Sequence, residues 1–233
     1  MVNVWTKTVA AAGLLYAARR YFSNWGTTKS ESTKYLPGDE LIGPPVAQAT
    51  EGVWIEASAS SVWPWLVQLG QDRGGLYTFD TLENVIGLRY VNADRIHPEW
   101  QHLAPGDAVR LVPRGWMGLR GLAMRVVEVD DERCIVLRAT APEHHWDAVW
   151  SFHLIPEWED RCRLLIRSRM SLRHPGEILL AELVGPARAF VTRGILTGVK
   201  RRVECTLQAE ESAAGAVDDL HREPQVVEGT LPL

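Results

Sequence analysis

Hydrophobic and polar residues alternate with a period of two through much of the centre of the chain. The alternation is most regular over residues 146–154, where Asp147, Ser151 and His153 oppose a hydrophobic set. That set is Trp146, Ala148, Trp150, Phe152 and Leu154. Because successive side chains of a strand point to opposite faces, this pattern predicts a strand whose hydrophobic face lies inside the protein.

Similar segments, separated by turn-forming residues, predict a series of strands. Residues 51–57 alternate as a half-buried first strand does. The later segments are joined by short turns, which is typical of consecutive hairpins and predicts an antiparallel meander. These segments are residues 90–93, 107–112, 121–129, 134–139, 146–155 and 163–172. In the last of them the pattern places Leu164, Ile166, Ser168 and Met170 inside, and Arg163, Arg167 and Arg169 on a solvated outer face.

Two short helices are predicted after the first strand. Ser60 or Ser61 can accept a hydrogen bond from an amide in the first turn of a helix. Pro64 is tolerated near the start of that helix, which ends near Gly70. Residues 79–86 space hydrophobic side chains for one buried face, and they predict a second short helix.

A long C-terminal helix is predicted after the turn at residues 174–176. Hydrophobic residues recur there at helical spacing as far as about Glu211, with a break or kink at Gly185-Pro186. We expect one face of this helix to pack on the sheet. Residues 212–233 are polar and acidic without periodicity, which predicts a disordered tail.

The N-terminal segment, residues 1–22, contains an apolar helix-like run at residues 4–22. This run is too short and interrupted to span a bilayer, which takes about 20 mostly apolar residues. Two interpretations fit it: a helix docked on the domain, which we favour, or an amphipathic segment at a membrane surface. Residues 23–48 are polar and rich in breakers, and they predict an extended arm or linker before a domain at residues 49–211.

Composition narrows the classes of function. The chain has 233 residues, a formal net charge of -4 and a 46% hydrophobic content, which predicts one main globular domain. Because basic residues form no stripe, we expect no nucleic-acid partner. The three cysteines are widely spaced, which suits a reduced cytoplasmic compartment. Ten tryptophans supply large planar side chains that can fill a core or wall a cavity.

The order of these elements resembles that of the SRPBCC superfamily, also called START-like or Bet v 1-like proteins, and is most similar to an uncharacterised bacterial group. The resemblance covers roughly Ala49 to Glu211. It depends on SSVWPWLVQLGQDRGGLYTFDTLENVIG after the first strand, on NADRIHPEWQHLAPGD, and on GILTGVKRRVE. It implies an α+β helix-grip fold, with a curved antiparallel sheet of about seven strands around the last helix. It also implies a cavity between sheet and helix that binds lipids, polyketides or other apolar molecules.

Eight residues are candidates for contact with such a ligand. We predict an apolar lining of Trp150, Phe152, Met170 and Phe190, and entrance contacts from Tyr77, Asp80, Glu83 and Trp100. The polar residues near Tyr77 also have a structural interpretation, in which Asp80 caps a helix and Asp72 pairs with Arg73.

Catalytic and metal motifs are weak in this sequence. His97, Glu99 and His102 mix metal-ligating types, but Pro98 disrupts their spacing and no HExxH motif is present. We therefore expect no metal and no cofactor. Binding or transport of an apolar small molecule is the favoured function. The alternatives are a cyclase- or dehydratase-like enzyme with Asp80 or Glu83 as acid or base, and a membrane-peripheral interaction protein acting through residues 4–22.

Overall fold

In the computed structural model of the protein, the described residues are 9, 23–78, 91–113, 115, 121–140, 146–172 and 178–221. Their strands are β1 (Ala47–Ile55), β2 (Ala108–Val112), β3 (Leu122–Asp130), β4 (Cys134–Thr140), β5 (Trp146–Trp158) and β6 (Arg161–Leu172). Their helices are α1 (Lys29–Thr33), α2 (Ala59–Val67) and α3 (Ile178–His221), and 3₁₀ turns span Asp39–Leu41 and Pro98–Trp100. This order is that of an α+β helix-grip fold, which confirms the predicted fold class.

The strands form one antiparallel sheet in the order β1-β6-β5-β4-β3-β2. Register shifts interrupt three of the pairings, and bulges of this kind bend and twist a sheet. The described part of the chain contains six strands rather than about seven, because residues 91–93 lie in a loop. The first strand begins at Ala47, four residues before the predicted start at Glu51.

Helix α2 starts two or three residues earlier than the sequence predicts. Its N-cap is Ser58, whose hydroxyl accepts a hydrogen bond from the Ser61 amide at 3.2 Å. The predicted caps, Ser60 and Ser61, instead place their hydroxyls against that of Ser58. Pro64 consequently lies in the second turn of the helix. The helix of residues 79–86 lies outside the described residues.

Helix α3 packs against β1 and α2 and runs without interruption through Gly185 and Pro186. The predicted break does not occur, although Pro186 lies inside this 44-residue helix and removes one of its hydrogen bonds. The helix also continues to His221, ten residues beyond the predicted end. The predicted tail is therefore helical in its first part, and residues 222–233 lie outside the described residues. The described helices include none with the length and hydropathy needed to cross a bilayer.

Residues 23–48 cover the outer face of the sheet. Leu36 and Ile42 are buried there, the latter against Val136 and Val149. The predicted solvated arginine ladder was wrong at this face. Arg163 pairs with Glu31 at 2.7 Å, and Arg167 and Arg169 pair with Asp39 at 2.6 and 2.9 Å. Arg167 is 1% exposed, so the predicted arm is a packed layer of the protein.

The same segment closes the edge of the sheet at β1. The Gly52 amide donates to the Trp25 carbonyl at 3.1 Å, and the Thr27 hydroxyl donates to the Thr50 carbonyl at 3.0 Å. Unpaired strand edges invite pairing with other chains, and these contacts occupy that edge. The N-terminal helix predicted at residues 1–22 lies outside the described residues, apart from Val9.

Candidate functional site

A small apolar cavity lies between the inner face of the sheet and the helical layer. Ten residues line it: Leu66, Leu69, Leu76, Leu103, Val109, Leu111, Ile135, Leu137, Trp150 and Phe152. Its volume is about 10 Å³, roughly the space that one water molecule needs. The wall opposite the sheet comes from α2 and the loops after it, whereas the cavity was predicted beneath the C-terminal helix. Among the described residues, this lining includes none from α3.

Two of the four residues predicted for the apolar lining, Trp150 and Phe152, line this cavity, and the other two do not. Trp150 and Phe152 point inward as predicted, at 8% and 3% exposure, with ring centroids 6.0 Å apart and nearly perpendicular ring planes. Met170 is half-buried outside this cavity. Phe190, also predicted for the lining, is 42% exposed and lies outside this cavity. The buried face of α3 passes instead through residues such as Ala189.

Tyr77 lies inside the protein rather than at an entrance. It is 1% exposed, its hydroxyl donates to the Trp65 carbonyl at 3.0 Å, and its amide donates to Asn92 Oδ1 at 2.6 Å. Its φ of 58° lies in the left-handed region. Burial raises the pKa of its phenol, so the hydroxyl keeps its proton. The guanidinium of Arg202 lies 4.7 Å from the ring centroid. These contacts give Tyr77 a structural role in joining α2 to the following loops.

The Gln68 side chain forms hydrogen bonds with backbone groups of the loop near α2. Its side chain is fully buried, accepts from the His97 amide at 3.0 Å and donates to the Arg95 carbonyl at 3.1 Å. Asp72 pairs with Arg110 at 2.7 Å, rather than with Arg73 as predicted. These bonds satisfy backbone groups of the loops, which supports the structural interpretation of this cluster.

Of the other three predicted entrance residues, the structure describes only Trp100. Trp100 is half-buried and lies against His97, with ring centroids 4.3 Å apart. Asp80 and Glu83 lie outside the described residues. The described residues include no group of three side chains suited to hold a metal ion, although His97 and Glu99 approach to 3.2 Å.

The two buried cysteines are poor nucleophiles. Cys134 and Cys162 are buried in strands, and burial raises the pKa of each thiol to about 11. Each thiol is therefore protonated near neutral pH and packs as a small apolar side chain.

Glu51 is the candidate that sequence reasoning missed. It lies on β1, is 0% exposed, and faces α3. Its Oε1 atom accepts from Arg188 at 3.2 Å, and its Oε2 atom lies 3.6 Å from Arg193 Nε. Burial raises the pKa of this carboxyl to about 7, although both arginines oppose the shift. The signal was present, because Glu51 has the same strand parity as Val53 and Ile55.

Comparisons with known proteins give structural similarities alone. No protein-family model and no curated protein sequence matches this chain. A hypothetical protein from Helicobacter pylori aligns with a TM-score of 0.45 and 14% identity, covering 75% of this chain and 98% of its own. Norcoclaurine synthase from Thalictrum flavum aligns with a TM-score of 0.41 and 14% identity, covering 73% and 97%. The di-domain ARO/CYC BexL from the BE-7585A biosynthetic pathway aligns at 0.43 and 12%, covering 68% and 46%.

Proposed function

We propose that the protein binds an apolar small molecule, such as a lipid, polyketide or aromatic metabolite, between the sheet and the helical layer. The observation that carries this proposal is the apolar lining, in which ten side chains without a charged or amide group converge on one internal gap. Each Å² of apolar ligand surface buried there contributes about 25 cal/mol. Binding of this kind requires no catalytic group.

The cavity is too small for a ligand, so it must widen when a ligand binds. Pockets for small molecules usually measure about 300 to 1,000 Å³, whereas this cavity measures about 10 Å³. A ligand must therefore separate Leu66, Leu76 and Leu103 from the sheet as it enters. We expect slow association, since association slows when binding requires a conformational change.

A fluorescent apolar probe tests the proposal. N-phenyl-1-naphthylamine should bind the protein and brighten, and extraction followed by mass spectrometry should recover a co-purified organic molecule. Val109→Phe fills the lining at a 3% exposed position, and we expect it to weaken probe binding by about tenfold. Val127→Phe is the matched control, because Val127 is 37% exposed on the neighbouring strand. Absence of probe binding together with an empty extract would refute the proposal, as would equal effects of the two variants.

The alternatives gain less support from the described residues. A cyclase- or dehydratase-like activity was assigned to Asp80 or Glu83, and a membrane role to residues 4–22. Apart from Val9, these positions lie outside the described residues. Transport between membranes is a special case of the binding proposed here, and transfer of the probe between vesicles would test it.

A further inference from the structure

Residues 28–43 form a strap that crosses the outer face of the sheet and is anchored to the sheet at both ends. Just before the strap, the Thr27 hydroxyl donates to the Thr50 carbonyl of β1 at 3.0 Å. Just after it, the Val46 amide donates to the Met170 carbonyl of β6 at 2.9 Å. Because both ends are fixed, the strap can leave the face of the sheet without separating from the protein.

Arginines of β6 hold the strap between these two ends. Arg167 donates to the Glu31 carbonyl at 2.8 Å, and its guanidinium pairs with Asp39 at 2.6 Å. Arg169 pairs with the same carboxylate at 2.9 Å and donates to the Ile42 carbonyl at 3.1 Å. Asp39 is thus the common anion of two arginines that also bind the strap backbone. We expect these contacts to form and break together.

The apolar part of this attachment is small and separate from the main core. Of residues 28–43, Leu36 and Ile42 are the buried apolar side chains. On the outer face, Ile42 packs in a cluster with Cys134, Val136 and Val149. The main core, as far as the structure describes it, lies on the inner face and includes none of these residues. Segments with few buried apolar contacts open locally, at a free energy below that of global unfolding.

Lifting the strap exposes both partners of its ion pairs. In the closed form Arg167 is 1% exposed and Asp39 is 6% exposed. Removing one partner of a buried pair leaves an uncompensated charge, which is strongly unfavourable, whereas lifting the strap returns both partners to water together. The ion pairs therefore resist substitution more strongly than they resist opening.

We propose that the strap opens as one unit while the sheet and its main core stay folded, and that this opening uncovers the outer face of β4 and β5. The surface it uncovers consists of Cys134, Val136 and Val149. This inference is independent of the proposed binding function, because the apolar cavity lies on the other face of the sheet. The strap is accordingly a movable cover that controls access to one face of the protein.

Two buried cysteines distinguish local from global opening. Cys134 is 3% exposed in the cluster beneath the strap, and Cys162 is 0% exposed in the main core. Each thiol can react with iodoacetamide only when its surroundings open. Opening of the strap exposes Cys134, whereas Cys162 requires opening of the main core. Cys205 is exposed, so the experiment uses the full chain with Cys205→Ser.

Labelling at about pH 8 with dilute iodoacetamide, followed by mass spectrometry of peptides, gives a rate for each cysteine. Each rate is divided by that of the same cysteine in urea-unfolded protein. When closing is faster than labelling, the ratio reports the population of the open form. We expect Cys134 to react at least about tenfold faster than Cys162. Low urea should accelerate Cys162 more steeply, because its opening exposes more surface. Equal ratios with equal urea dependence would overturn the inference.

A core variant tests whether the two openings are independent. In Gly198→Ala the new Cβ would overlap the Tyr77 carbonyl oxygen, which lies in the inner layer and not beneath the strap. This change destabilises the closed and strap-open forms equally. We therefore expect the Cys162 rate to rise about tenfold or more while the Cys134 rate stays within about twofold. Equal acceleration of both thiols would show that Cys134 reacts only through global unfolding, and the inference would be wrong.

A strap variant tests what covers Cys134. Asp39→Ala removes the carboxylate shared by the arginines of β6, and we expect the Cys134 rate to rise about 100-fold or to the rate of an exposed thiol. Cys162 should be accelerated by no more than the same factor. Asp72→Ala, which removes an exposed carboxylate paired with Arg110, is the matched control and should leave the Cys134 rate unchanged. An unchanged Cys134 rate in Asp39→Ala would overturn the inference, and if that variant does not fold, the comparison of Gly198→Ala with its parent protein decides.

Discussion

Two buried titratable groups should give the folding stability opposite dependences on pH. Burial raises the pKa of Glu51 from 4.5 to about 7, so its neutral form is favoured in the folded protein. Its contribution to stability is fully present below pH 4.5 and is lost as pH rises through about 7. At about 1.4 kcal/mol per pKa unit, the loss is about 3 kcal/mol.

His153 acts in the other direction. It is 3% exposed on the outer face of the sheet, and burial, helped by Arg167, lowers its pKa from 6.5 to about 4. Its contribution is fully present above pH 6.5 and is lost as pH falls through about 4. The magnitude is again about 3 kcal/mol. Between about pH 4.5 and 6.5 the two pH dependences nearly cancel, so the sum of the two contributions stays almost constant.

Urea unfolding of the wild type and two variants, measured from about pH 4 to pH 8, separates these contributions. Subtracting the Glu51→Gln curve from the wild-type curve should leave a stability that falls by about 3 kcal/mol as pH rises. Subtracting the His153→Gln curve should leave a rise of similar size. A difference curve for Glu51→Gln that is flat or rises with pH would refute the assignment of a neutral buried carboxyl.

Two further predictions concern the packing of the outer layer and of α3. Asp39→Ala leaves buried Arg167 without its carboxylate partner, so we expect urea unfolding to show a loss of about 3 to 5 kcal/mol; a loss below about 1 kcal/mol would mean that residues 23–48 are not held by this pair. In Gly198→Ala the new Cβ would overlap the Tyr77 carbonyl oxygen, and we expect a loss of about 2 kcal/mol or more. Gly215→Ala, whose Cβ meets nothing within 4 Å, should instead stabilise the helix by about 0.5 to 1 kcal/mol in the same assay. Similar losses in the two glycine variants would contradict the close approach at Gly198.

Alternation of hydrophobic and polar residues was enough to predict most of the strands and which of their side chains face the core. The alternation in β5 identified Trp150 and Phe152 as internal, because a strand with one apolar face has a single favourable orientation on a core. The same alternation, applied to β1, would have identified Glu51, because its position in the strand places its carboxyl on the buried face. A charged residue with core parity is thus a signal for a buried site.

Long-range pairing explains the largest error. The alternating arginines of β6 have the pattern of a solvated face, and no local feature distinguishes them from one. Their partners are far away in sequence: Asp39 is separated from Arg167 by 128 positions and Glu31 from Arg163 by 132. Residues 23–48 supply only two buried apolar side chains beside these acids, Leu36 and Ile42. Hydrophobic periodicity therefore gave no indication that this segment packs on the sheet.

The two faces of the sheet have different consequences for ligand entry. On the outer face, buried ion pairs hold residues 23–48 to β6, and breaking such a pair costs several kcal/mol. On the inner face, the cavity is closed by Leu66, Leu69, Leu76 and Leu103, which make apolar contacts without such pairs among their side chains. Separating these side chains costs contacts that the ligand itself replaces. Under the proposed binding function, entry by displacement of α2 and its loops is therefore energetically favoured over deformation of the sheet, and the sheet provides the fixed wall of the site.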